Sequence, residues 1–81
     1  SEESDLISVY PNPAQSSLTV EISNFIQSII VLDMFGRLVI QNLGRKQNQI
    51  TISIDHLTNG VYQIVVVDSK GKRHVERILK K

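Results

Sequence analysis

The chain has 81 residues, with nine Lys and Arg against eight Asp and Glu, two His, no Cys and no Trp. That length holds one domain, and the absence of Cys excludes disulfides, thiolate metal sites and Cys nucleophiles together while leaving the redox compartment open. With 41% hydrophobic and 21% charged residues the composition is that of an ordinary globular protein, which argues against disorder.

The net charge of +1 hides a division along the chain. Residues 1–36 carry Glu2, Glu3, Asp5, Glu21 and Asp33 with no base, a net of −5, whereas residues 37–81 total +6. The first residues are read as an acidic linker (1–5) from an upstream domain, and residues 6–81 as the folded unit. The chain starts at Ser1, with no basic and apolar leader pattern, so it reads as a piece of a longer protein. Its longest aliphatic runs, residues 29–32 and 64–67, fall far short of the ~20 residues that span a bilayer. No membrane insertion is expected.

Apolar clusters open near Leu6, Leu18, Ile29, Leu38, Ile50, Val61 and His74, roughly 9 to 13 residues apart, the rhythm of an all-β sandwich of about seven antiparallel strands. Leu18, Val20 and Ile22 alternate with Thr19 and Glu21, and Ile50, Ile52 and Ile54 alternate with polar residues, so these strands have one buried face. A slip of one residue would exchange each Ile, worth roughly 1.5–3 kcal/mol when buried, for a hydroxyl or carboxylate. Residues 29–32 and 61–67 lack that alternation and are expected to be central strands covered on both faces, the second by loops or by a neighbouring domain. No segment carries a helical stripe over three turns.

The connections are also legible. Tyr10-Pro11-Asn12-Pro13 fixes the backbone twice and is expected to join the first strand to the second as a rigid loop. Asp33-Met34-Phe35-Gly36-Arg37 and Asp68-Ser69-Lys70-Gly71-Lys72 share the pattern Asp-x-x-Gly-basic. Both predict hairpins in which Asp accepts backbone N–H groups and Gly adopts the left-handed conformation. Leu57-Thr58-Asn59-Gly60 marks a further turn, with Leu57 expected to cap the core and Tyr62 expected to face it.

The chemical candidates are few. His56 and His74 lie eighteen residues apart without Cys or a carboxylate at metal-ligand spacing, so both are expected to be surface or strand-edge residues and no metal site or cofactor is implied. Ser16 and Ser17 lack the Gly-x-Ser-x-Gly elbow of a nucleophile. Asp33 and Asp68 are claimed by turns, Asp55 has no evident acidic partner, and there is no phosphate-binding loop. An enzyme is not expected. Residues 70–81 hold Lys70, Lys72, Arg73, Arg77, Lys80 and Lys81 against Glu76 alone. Nucleic-acid binding would call for aromatics or a groove-entering element beside those cations, and Tyr10, Phe25, Phe35 and Tyr62 all lie elsewhere. The remaining readings are an edge strand protected by its charges or an exposed basic tail that is recognised.

In order, the chain gives Val9-Tyr10-Pro11-Asn12-Pro13, then Leu18-Thr19-Val20, then Val31-Leu32-Asp33-Met34-Phe35-Gly36-Arg37, then Leu57-Thr58-Asn59-Gly60-Val61-Tyr62, and last Arg77-Ile78-Leu79-Lys80-Lys81. Through order and spacing, over nearly the whole chain, the series resembles the C-terminal sorting domain (type A) of the type IX secretion system of Bacteroidetes. The resemblance implies an immunoglobulin-like sandwich at the end of a cargo protein. Such a domain is a non-catalytic signal that carries the cargo from the periplasm through the outer membrane, to be removed by a sortase-like surface peptidase. The family's Gly-x-Tyr box falls on Gly60 and Tyr62, its Gly-Arg turn on Gly36 and Arg37, and its terminal basic pair on Arg77 and Lys81. Thr58 stands where the family often has Pro, and the first terminal base is Arg instead of Lys. The resemblance assigns Pro11, Asn12, Pro13, Asp33, Gly36, Arg37, Leu57, Gly60 and Tyr62 mainly structural roles. Recognition is expected at Lys70, Lys72, Arg73, Arg77, Lys80 and Lys81. The rival expectation is an immunoglobulin-like accessory domain that binds carbohydrate or spaces an enzyme at the cell surface, and carbohydrate binding would be favoured by Tyr10, Tyr62 and a Phe on one exposed face.

Overall fold

The computed structural model describes residues 7–81. It holds five strands and no helix: β1 (Ile7–Tyr10), β2 (Ser17–Leu32), β3 (Leu38–Ser53), β4 (Gly60–Asp68) and β5 (Arg73–Lys80). All described pairings are antiparallel apart from a single parallel bridge between Ala14 and Lys80. The acidic linker expected over residues 1–5 lies outside the described residues.

Five strands, where the apolar clusters suggest about seven, follow from the length of β2 and β3. A straight strand of sixteen residues would run roughly 50 Å, but the longest dimension of the domain is 36 Å. Both strands therefore bend. The first part of β2 pairs with β1 (Ile7 with Ile22 through Tyr10 with Thr19) and with the end of β3 (Leu18 with Ile52). The second part pairs with the beginning of β3 (Ile30 with Gln41) and with β4 (Ile30 with Val65). Register shifts at Glu21, Ile26 and Ser28 separate the two blocks, as bulges do where a strand passes from one sheet to another. Two strands counted in halves and three counted whole give the seven segments of the sandwich.

Leu18, Val20 and Ile22, with Ile50, Ile52 and Ile54, line one wall of the core. Ile29, Val31, Tyr62, Ile64, Val66 and Ile78 line the other, and all belong to one buried cluster. Residues 29–32 and 61–67 are central in their sheet, as their composition predicts, and within residues 7–81 no loop fully covers their outer face. Their inward residues are buried, whereas Ile30, Leu32, Val65 and Val67 are half-buried and Val61 is exposed. No described segment crosses that outer face.

The bend needs Gly44. A Cβ at this position would overlap the carbonyl oxygen of Ile26, so β3 passes β2 at a distance that only hydrogen allows. Gly36 and Gly71, at φ 81° and 82°, have open space around them and serve backbone conformation instead. Gly44→Ala is expected to force the two strands apart and to destabilise the domain by about 1–3 kcal/mol, the range for overpacked interiors. Urea unfolding of the two proteins would measure it, and an unchanged midpoint would mean that the close approach is dispensable.

Candidate functional site

Both Asp-x-x-Gly turns form the hairpins that their sequences predict. Asp33 N donates to Arg37 O and Gly36 N to Asp33 O, closing β2 onto β3. Asp68 N donates to Lys72 O and Gly71 N to Asp68 O, closing β4 onto β5. In each turn one carboxylate oxygen accepts two backbone N–H groups, those of Phe35 and Arg37 at Asp33 and those of Lys70 and Lys72 at Asp68, all at 2.9 Å. The second oxygen distinguishes them. At Asp33 it takes Arg37 Nε at 2.8 Å, and the guanidinium also lies 5.4 Å from the Phe35 ring centroid. With the Arg37 side chain exposed, that pair adds little stability, and the backbone N–H of Arg37 is foremost in holding the Asp33 carboxyl below the usual carboxylate range.

Asp68 is buried, and its second oxygen lies 3.0 Å from Nε2 of His74 and 3.5 Å from Nδ2 of Asn24. Burial opposes its ionisation, but the bonds from His74, from the N–H groups of Lys72 and Lys70 and from Asn24 outweigh it and lower the pKa to about 2. An ionised carboxylate only accepts, so His74 carries its hydrogen on Nε2. Of the two placements expected, His56 takes the surface and His74 the strand edge. The His74 side chain turns inward and is nearly covered, because position 74 shares a face with Ile78.

The Gly-x-Tyr box is a packing device. Tyr62 is buried with its hydroxyl donating to Thr58 O at 2.7 Å and lying 3.2 Å from Thr58 Oγ1, an arrangement of the kind that ties a corner of immunoglobulin folds. Leu57 packs partly buried against the core. The Asp33 turn and the Leu57 to Tyr62 corner border one shallow recess of about 310 Å³. The aromatic platform that glycan binding calls for is not formed: Tyr62 is inside, while Tyr10, Phe25 and Phe35 are exposed on different elements.

The Tyr10-Pro11-Asn12-Pro13 loop joins β1 to β2 and does more than connect them. Asn12 Nδ2 donates to Arg77 O at 3.2 Å, and Leu79 N donates to Asn12 Oδ1 at 3.1 Å. Ala14 N donates to Leu79 O and Lys81 N to Ala14 O, each at 2.8 Å. One side-chain amide and one residue thus replace a neighbouring strand along the last part of β5. The spacing of residues alone does not reveal this, since the partners lie 65 and 67 positions apart.

The basic residues of the C-terminal segment are dispersed along this strand. Lys70 and Lys72 occupy the turn before it, Arg73 and Arg77 are exposed on its outward face, and Lys81 is exposed just after it. Lys80 departs from the expectation of an exposed tail. It is buried on the inward face with Ile78, and its Nζ reaches Lys81 O at 3.3 Å, the aliphatic stem lying along apolar surface as long cationic side chains do. Among the described residues no group of three His, Asp or Glu is placed to hold a metal ion.

Fold and site together define an immunoglobulin-like β-sandwich with a basic edge strand. Two solved structures are similar to it in fold. One is a DUF3244 family protein with an immunoglobulin-like β-sandwich fold from Bacteroides vulgatus ATCC 8482, at TM-score 0.71 and 18% identity over 95% of this chain and 96% of that one. The other is CopC from Methylosinus trichosporium OB3b, at TM-score 0.54 and 23% identity over 90% and 82% of the two chains. No curated protein matches the chain. The chain belongs to the family of secretion system C-terminal sorting domains, whose sequence model matches residues 8–81, in agreement with the type IX motif series. It is a secretion signal that works with the type IX machinery in export to the cell surface or beyond.

Two outcomes test this geometry. Asp68→Asn is expected to cost about 1.5–3 kcal/mol at pH 7, the range for hydrogen bonds to a charged group. Because the folded carboxyl has the lower pKa, its contribution is complete above pH ~4 and fades as the pH falls towards 2. Urea midpoints of wild type and variant should therefore converge over that interval, and a gap independent of pH would contradict the assignment. Asn12→Ala, losing two exposed hydrogen bonds, is expected to cost about 1 kcal/mol, or roughly 4–8 °C in Tm. The amide of Leu79 should then exchange faster while that of Ile78 keeps its protection.

Proposed function

We propose that residues 6–81 are the terminal address of a larger cargo protein, joined to it by the acidic segment 1–5, and that the machinery reads the final strand and the residues flanking it. The observation that carries this reading is the division of labour among the motif residues. Asp33, Gly36, Leu57, Gly60 and Tyr62 are engaged in turns, packing or a corner, and Asn12 is bound to the strand. Arg77 and Lys81 of the terminal motif, with Arg73 beside them, keep exposed side chains on the basic C-terminal segment. A signal accepted from many cargos needs a fold that forms by itself and a feature that remains accessible, and an edge strand with charges meets both needs. In this reading the cargo crosses the periplasm and then the outer membrane, and a sortase-like peptidase removes the domain from it. Lys80 acts through the fold, as its buried stem requires, while Lys70 and Lys72 add to the positive field at the turn.

Residues 1–81 fused behind a periplasmic reporter are expected to export it from a cell with a type IX system. Removal of residues 70–81 should retain the reporter inside. Since that truncation also removes a strand, the deciding variant is Arg77→Ala with Lys81→Ala, expected to lower export at least tenfold with the Tm within a few degrees of wild type. Export at the wild-type level by this folded variant would refute the reading.

A further inference from the structure

The backbone of β5 is satisfied on only part of its outer edge. Its pairing with β4 runs through eight consecutive residue pairs, from Gly60 with Lys80 to Val67 with Arg73, without a shift. Asp68 N bonds Lys72 O on the β4 side, whereas both backbone groups of Leu79 bond Asn12 and Ala14 on the opposite side. Alternation along an antiparallel ladder then turns the N–H and C=O of Arg73, Val75 and Arg77 away from β4 as well. The carbonyl of Arg77 is taken by Asn12. The N–H and C=O of Arg73 and Val75 and the N–H of Arg77 have no partner among the described residues. The side chains of the same three residues lie on the outer face, with Val75 51% exposed between two exposed arginines and beside half-buried Val65.

We infer that this open edge is the reading site itself, and that the partner adds an extended strand to residues 73–77 with an apolar side chain opposite Val75 and carboxylates opposite Arg73 and Arg77. The inference rests on the reading of β5 as the recognised strand, and adds the binding mode and the chemistry of the partner. Charge selects the occupant. A second copy pairing antiparallel about Val75 would set Arg73 against Arg77 twice, a like-charge clash, while the exposed bases of residues 70–81, five against Glu76 alone once buried Lys80 is set aside, favour an acidic strand. Regularity selects the edge. β1 has four residues, and β3 is interrupted by the shifts at its bend and by Lys46 at φ 57°, so neither offers an even row of backbone groups. Asn12, holding the carbonyl of Arg77, ends the site and fixes the register of whatever pairs there.

The probe is an acetylated and amidated peptide, Thr-Glu-Thr-Val-Thr-Glu-Thr, titrated into the isotope-labelled 81-residue chain. The amides of Arg73, Val75 and Arg77 are expected to shift together and to gain at least tenfold protection from exchange. Replacing both glutamates by lysine, or methylating the valine nitrogen, should weaken binding at least tenfold. Equal binding of the methylated and unmodified peptides would overturn strand addition, as would unshifted amides at millimolar peptide. Dimerisation of the chain with the same amides protected would assign the edge to a second copy and refute the acidic partner. In cells, Val75→Pro removes an outward N–H at an edge position where proline is tolerated and keeps every basic residue. Retaining its Tm, it should reduce reporter export at least tenfold. Normal export by Val75→Pro beside failure of Arg77→Ala with Lys81→Ala would leave the basic address intact and remove the strand-addition mode. Should Val75→Pro unfold, the methylated and unmodified peptides on the wild-type chain decide the matter.

Discussion

Two sixteen-residue strands turn one corner together, and the segment from Asn24 to Ile26 is where they do it. The carbonyl of Ile26 faces Gly44 of β3 too closely for any side chain there. Ile26 is also paired with both Gln47 and Asp68. Phe25 O accepts the N–H of Ser69, and Asn24 reaches the carboxylate of Asp68. The corner therefore holds three things at once: the passage of β2 between its two pairing blocks, the accompanying bend of β3, and the start of the hairpin that launches β5. Because Asp68 is bound from this corner and from His74 on β5, the placement of the edge strand depends on the bend as much as on its own ladder with β4.

What the corner sets up at one end of β5, the proline loop completes at the other. A strand on the rim of a sheet exposes a row of donors and acceptors that invites unwanted pairing. This domain closes the final part of that row with Asn12 and Ala14 and leaves the first part open under two arginines. Charges at an edge discourage self-association, but they also select for an acidic partner. Protection and the recognition proposed for the basic segment thus call for the same physical device. Lys80 shows the limit of counting charge from sequence, since a base whose side chain lies along the core adds to the net charge without presenting it at the surface.

The legible parts of the sequence were those governed by neighbours a few residues away. Alternation of Leu18, Val20 and Ile22, or of Ile50, Ile52 and Ile54, reports the buried face directly, because side-chain direction on a strand has period 2. The Asp-x-x-Gly turns are equally local, as each carboxylate bonds backbone groups two and four residues on. The joining of seven segments into five strands was harder to see, because Ser23-Asn24 lies between two apolar clusters and reads equally as a turn. The same period-2 rule, carried past Ile78, places Lys80 inward. The contacts of Asn12 with β5 were beyond such rules, because nothing local couples residues so far apart in the chain.

The motif series that marks the family and the basic segment that ends the chain consequently answer to two kinds of constraint. Gly36, Gly60 and Tyr62 answer to backbone conformation and packing, so they would be needed in any sandwich of this shape. Arg73 and Arg77 answer to nothing inside the domain: both are exposed, and neither makes a described ion pair. In a sorting domain, residues without an internal task are those most available to an external one. The same reasoning gives the Asn12 contact a double meaning. It stabilises the last residues of β5 and, by occupying the carbonyl of Arg77, it defines where an incoming strand must stop. A single side chain thereby links the motif at the beginning of the domain to the basic segment at its end.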